Sequence, residues 1–263
     1  MKKTLFYLAI ASLSFLGCSK NEDNLPSSIS NLPVKIVLIS NYATVSSTST
    51  LYEFEYNDKR EVKTIKYNNA DSVYSSISYD ANGRLTKMGT AKNPNAIKVE
   101  YNADGGVSKV TESTRGVKGL EENYRTYDYS NSQLTKTNYY NSANTLLRSI
   151  TYTTDPKGNL TTAIYAQGQA TSGNTATLTY DDKANPLYNI KVNPALAFLP
   201  QGLWTNIEFI LFSKNLINQF AYTGDGTRQY SYEFDVKNRI SKIFIGVKST
   251  TGYQQTYEIT YLD

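Results

Sequence analysis

The side chains able to do acid–base or nucleophilic chemistry here are carboxylates and tyrosines, because histidine is absent and cysteine occurs once, at Cys18. Without histidine there is no Ser-His-Asp triad, no Cys-His pair and no imidazole-ligated zinc. A single thiol rules out an intrachain disulfide and a thiolate metal cluster. Carboxylates occur as close pairs at Glu53 and Glu55, Glu121 and Glu122, and Asp181 and Asp182. Cleaving a glycosidic bond needs two carboxyl groups facing one another across a sugar, one with its pKa raised by burial. Glu53 and Glu55 instead alternate with Tyr52, Phe54 and Tyr56, which is the pattern of a strand with one wet face. Asp80-Ala81-Asn82-Gly83 opens like a calcium loop but lacks the later acids and the closing glutamate, so it reads as a hairpin turn. No phosphate-cradling glycine loop, dinucleotide fingerprint or Gly-x-Ser-x-Gly elbow occurs. The expectation is a non-catalytic protein with no metal and no cofactor.

Tyrosine is the other signal, with 23 residues against one Trp. Tyr124, Tyr127, Tyr129, Tyr139 and Tyr140 form the densest group. Tyr139 and Tyr140 are sequential, so within a strand their rings point to opposite faces. Tyr188, Phe198 and Trp204 fall in an apolar stretch and could form an aromatic platform, although a lone Trp there is more often core. The candidate ligand contacts are therefore Trp204, Tyr188, Tyr127, Tyr129, Tyr139 and Tyr140. Such rings suit stacking on sugars or packing on a protein partner.

The elements that must position these residues follow from a repeat. Short alternating strands end in an aromatic followed by Asp or Asn, then a polar turn, then Val, Leu or Ile. Instances are Tyr56-Asn57 before Val62, Tyr79-Asp80 before Leu85, Tyr101-Asn102 before Val107 and Tyr129 before Leu134. Further copies are Tyr152 before Leu160, Tyr180-Asp181 before Leu187, and Phe234-Asp235 before Ile240. Tyr, Thr, Val and Ile favour strands, and the alternation has period two. Asn, Asp and Gly close the turns, glycine by adopting positive φ. The pattern predicts an all-β fold, an antiparallel meander of about fourteen to sixteen strands in repeated hairpins, curled or partly closed. It predicts a last strand, Thr256–Tyr261, without a partner. Residues 186–220 break the pattern, and Pro194 and Pro200 suggest a short helical or irregular insertion near 193–206 that caps the sheet.

The unit Tyr79-Asp80-Ala81-Asn82-Gly83-Arg84-Leu85 resembles the YD repeats of Rhs-type proteins, and the other copies are degenerate versions of it. In that family the repeats build a structural shell, so the resemblance implies architecture, a scaffold or a binding surface. At the other end, Met1-Lys2-Lys3, an apolar run from Leu5 to Leu16, and Leu16-Gly17-Cys18 resemble a lipoprotein signal with its lipobox. The run is too short to span a bilayer. The resemblance implies removal of residues 1–17 and lipidation of Cys18, with residues 18–33 as a polar tether and 34–263 as a single YD-repeat-like β-domain. Losing Lys2 and Lys3 lowers the 27 basic residues by two against an unchanged 23 acidic ones, so the net charge falls from +4 to about +2. That charge, with no basic cluster, argues against nucleic acid as a partner. Glu22-Asp23 resembles a surface-export signal, and the whole arrangement resembles Bacteroidetes-type lipoproteins of unknown function. The implied setting is an outer-membrane lipoprotein on the periplasmic or cell-surface face, held to the membrane by lipid on Cys18. The expected function is binding of a glycan or an envelope protein by a Tyr-rich β-surface. The alternatives are a purely structural or assembly lipoprotein and, second, a carboxylate-dependent glycan-degrading enzyme.

Overall fold

The computed structural model describes residues 32–42, 45–68, 72–116, 119–170, 172–186, 188, 213–223, 226–247 and 254–262. Cys18, the expected tether as far as residue 31, Trp204, Phe198 and the segment near 193–206 lie outside them, and Pro33, expected to end the tether, instead opens the first strand. Sixteen strands and no helix occur among the described residues. They are β1 (Pro33–Tyr42), β2 (Val45–Tyr56), β3 (Val62–Tyr67), β4 (Ser72–Tyr79), β5 (Leu85–Thr90) and β6 (Ile97–Tyr101). Next come β7 (Val107–Gly116), β8 (Gly119–Ser130), β9 (Gln133–Tyr140), β10 (Leu146–Thr154) and β11 (Leu160–Gln167). The series ends with β12 (Asn174–Ala184), β13 (Asn215–Tyr222), β14 (Gly226–Phe234), β15 (Ile240–Val247) and β16 (Gln254–Tyr261).

Each strand pairs antiparallel with its sequence neighbours, and β16 also pairs with β1, from Pro33 opposite Tyr261 to Asn41 opposite Gln254. The sheet is therefore a closed barrel rather than a partly closed one. The expectation that Thr256–Tyr261 has no partner is corrected, since β15 and β1 flank it on either side. The repeat alone cannot reveal this closure, because closing satisfies both edges of the meander at once. The interrupting segment is also shorter than expected. Residues 215–222 form β13, in which Leu216, Ile217 and Phe220 are buried. Tyr180 pairs with Ile217 rather than with an opener at Leu187, so the extra residues sit inside the β12–β13 connection and leave the pairing intact.

The turns are built alike. Asn57, Asp80, Asn102, Asn141, Asp155 and Asp235 each accept, on Oδ1, the amide of the residue four positions on, at 2.8–2.9 Å. The residue three positions on has positive φ, for example Gly83 at 72° and Gly158 at 90°, but also Arg60 at 62° and Asn238 at 59°. The amide and guanidinium of Arg84 hold the Asp80 carboxyl below the usual carboxylate range. Burial alone would raise Asp235, but the amide and guanidinium of Arg239 outweigh it and leave its pKa lowered.

One face of the wall is apolar around the whole circumference. Ile36 pairs with Tyr52 and Ile259, Phe54 with Ile65, Ile77 with Met88, Val99 with Val110, Leu178 with Phe220, and Ile243 with Tyr257. Ile65, Met88 and Ile243 are 0% exposed, so this face is the inside of the barrel. Each such side chain contributes about 1.5–3 kcal/mol of burial. The other face carries ion pairs such as Lys66–Glu55 at 2.5 Å, Lys98–Glu122 at 2.8 Å and Lys242–Glu258 at 3.2 Å. A barrel that spans a bilayer needs the reverse, an apolar band outside and polar groups inside. Among the described residues this wall is turned toward water.

Candidate binding site at the barrel mouth

Most motif tyrosines are occupied structurally. Their rings lie on the inner face, and their hydroxyls donate to the carbonyl of a residue at or near the start of an earlier strand. Tyr56 reaches Pro33 at 2.5 Å, Tyr79 Val62 at 2.9 Å, and Tyr101 Leu85 at 2.8 Å. Tyr180 reaches Leu160, while Tyr232 reaches Ile217 and Tyr261 reaches Ile240, each at 2.8 Å. Arginine completes the motif. Arg84 pairs with Asp80 at 2.7 Å and lies 4.4 Å over the ring of Tyr101, and Arg239 repeats this with Asp235 at 2.6 Å and Tyr261 at 4.6 Å. Burial pushes these phenols up, Tyr101 to about 12. The paired acids are likewise occupied: Glu55 by Lys66, Glu122 by Lys98, and Asp182 by Lys157 at 3.1 Å.

The inner face changes character at one end of β7–β11. There the inward row reads Val110, Arg125, Tyr139, Arg148 and Gln167 on successive strands, with Glu112 paired to Asn123 beside it. A shift in register at Leu146–Arg148 bends β10 there. The result is a pocket of about 380 Å³, lined by Glu112, Asn123, Arg125, Tyr139, Arg148 and Gln167, together with Tyr124, Tyr140 and Leu147. Tyr139 lies between two guanidinium groups, Arg148 at 4.0 Å and Arg125 at 5.9 Å from its ring centre. Tyr124 and Tyr140 stack at 4.7 Å with planes 13° apart, and the Lys109 ammonium sits 4.7 Å over Tyr124. Glu112 is bound by Arg125 in an ion pair. Leu147 is 47% exposed, one of few large apolar side chains so open.

No family model matches the sequence, and no curated protein is significantly similar to it. Solved structures do match. Porin-like proteins from Bacteroides uniformis and Bacteroides vulgatus each align over 88% of this chain and 98% of their own, at 14% identity and a TM-score of 0.53. A TcdB2–TccC3 structure aligns over 79% of this chain and 10% of its own, at 15% identity and a TM-score of 0.35. The likeness to the two Bacteroides proteins is one of fold.

Of the tyrosines singled out in the sequence, Tyr139 and Tyr140 line the pocket, joined by Tyr124. Tyr127 is 6% exposed in the core and Tyr129 is half-buried against it, so neither lines the pocket. Tyr188 is half-buried beyond β12, where its amide donates to the Asn185 carbonyl at 3.1 Å. Sequence reasoning missed Glu112, Asn123, Arg125, Leu147, Arg148 and Gln167. A signal was present, because Arg125 falls in phase with Tyr127 and Tyr129, and Arg148 in phase with Ile150 and Tyr152. A charge at an inward position marks the end of an apolar lumen. Among the described residues no group of three or more Asp, Glu, Cys or His side chains is placed to hold a metal ion.

Proposed function

We propose that this chain is a non-catalytic, lipid-anchored envelope protein that binds a glycan at the mouth of its barrel. The observation that carries the reading is the pocket itself, where stacked Tyr124 and Tyr140 adjoin Tyr139 between two arginines. Flat aromatic faces beside hydrogen-bonding groups suit sugar rings. The single carboxylate lining the pocket, Glu112, is engaged by Arg125, whereas glycoside hydrolysis uses two. The YD-like repeat and the shared fold of the two Bacteroides barrels support a place among Bacteroidetes-type envelope lipoproteins with degenerate YD repeats. Attachment is through Cys18, on the periplasmic or cell-surface side of the outer membrane, because the charged outer wall offers lipid no apolar band.

Two measurements test this. The full chain purified in detergent is expected to be retained on a glycan array, and Tyr140→Ala to reduce retention about tenfold, in line with the loss of one aromatic contact. No retention together with co-purification of an envelope protein would instead favour an assembly role. Cys18→Ala is expected to move the protein from the membrane to the soluble fraction. A variant that stays with the membrane refutes the lipid anchor.

A further inference from the structure

We infer that the mouth pocket recognises an anionic saccharide, with Arg148 reading the acidic substituent. This rests on the glycan-binding reading above and names its ligand class. The pocket contains two guanidinium groups and one carboxylate, and that carboxylate is already held by Arg125. Arg84, Arg125 and Arg239 each have a carboxylate partner. Arg148 has none among the described residues, and its contact is with the face of Tyr139 at 4.0 Å.

That contact is informative because a guanidinium stacks through its face and donates through its edge. Engaged by a ring rather than by a carboxylate, Arg148 has N–H groups available for a carboxylate or sulfate, both of which accept two parallel bonds. The β10 bend keeps this residue at the rim, where it is exposed although its strand position points inward. Tyr139 and the exposed Leu147 add apolar surface beside it. Asn123 and Gln167 supply both donors and acceptors for hydroxyl groups. A volume of about 380 Å³ lies at the small end of ligand pockets, room for about one or two sugar rings.

The test titrates the full chain in detergent with trigalacturonate, a sulfated galactotriose and neutral galactotriose, at low and high salt. The expected result is at least about tenfold tighter binding of one acidic probe than of the neutral one, weakening with salt. Which acidic probe binds distinguishes carboxylate from sulfate. Arg148→Gln should remove that preference, lowering affinity for the acidic probe at least about tenfold and for the neutral one far less, and Arg148→Lys should keep only part of it. Tyr140→Ala should weaken acidic and neutral probes alike. A thermal melt of each variant separates lost binding from lost folding. Equal binding of acidic and neutral saccharides, or an intact preference in folded Arg148→Gln, overturns the anion assignment and leaves glycan binding standing. Binding of hexaglutamate with no binding of any saccharide overturns both.

Discussion

At the scale of the residue, the repeat is a set of interlocking hydrogen bonds. The turn aspartate holds the arginine four residues on, the arginine covers the next tyrosine ring, and that tyrosine's hydroxyl returns to the carbonyl just after the arginine. Arg84 with Tyr101 and Leu85, and Arg239 with Tyr261 and Ile240, show the complete circuit. Burial sets how much each copy contributes. The Arg239 side chain is 8% exposed, against 33% for Arg84. Arg239→Ala should therefore cost about 2–4 kcal/mol and Arg84→Ala about 1 kcal/mol, measured by urea denaturation. Equal losses would mean that the circuit contributes no more where it is buried than where it is exposed.

At the scale of the element, the hairpins depend on backbone shape at a few positions. Arg60 holds φ at 62° where three other copies use Gly83, Gly105 and Gly158. Arg60→Gly should stabilise by about 0.5–1 kcal/mol, because relief of left-handed strain exceeds the added freedom of the unfolded chain. Gly89 is different, since a Cβ there would sit 2.2 Å from the Asn93 oxygen and 2.4 Å from the Pro94 carbonyl carbon. Gly89→Ala must push the β5–β6 connection away and should cost about 1–3 kcal/mol. Paired denaturation curves check both signs, and a stabilising Gly89→Ala would show that the connection yields freely.

At the scale of the whole molecule, closure joins β1 to β16, segments at opposite ends of the described chain. It produces an interior crowded with phenols. Tyr74, Tyr101 and Tyr129 are each pushed up to about 12, burial being the first cause in every case. A phenol whose pKa is raised by folding adds stability that is complete below its unfolded value of about 10 and is lost as pH rises toward the folded value. The barrel should therefore hold its stability up to about pH 10 and lose it progressively toward pH 12. Tyrosinate absorbance should rise together with loss of the far-ultraviolet β signal. Titration of most tyrosines at pH 10 with the fold intact would contradict the buried placement.

The sequence by itself determined the strands, the turns and the all-β meander, because those rest on local chemistry. Alternation of period two is written within six residues, and an Asp or Asn closing a turn acts across five. It also showed that Tyr139 and Tyr140 point to opposite faces, as they do on either side of the β9 rim. Only the tertiary structure decided that the sheet closes, which face lies inside, and that Tyr127 is core while Tyr140 is not. It alone brought Glu112, Arg125, Arg148 and Gln167 together across five strands. Alternation defines two faces for each strand, but the register between strands and the pairing of β1 with β16 set where each face ends up. Those are properties of residues far apart in the chain, where no local pattern reaches.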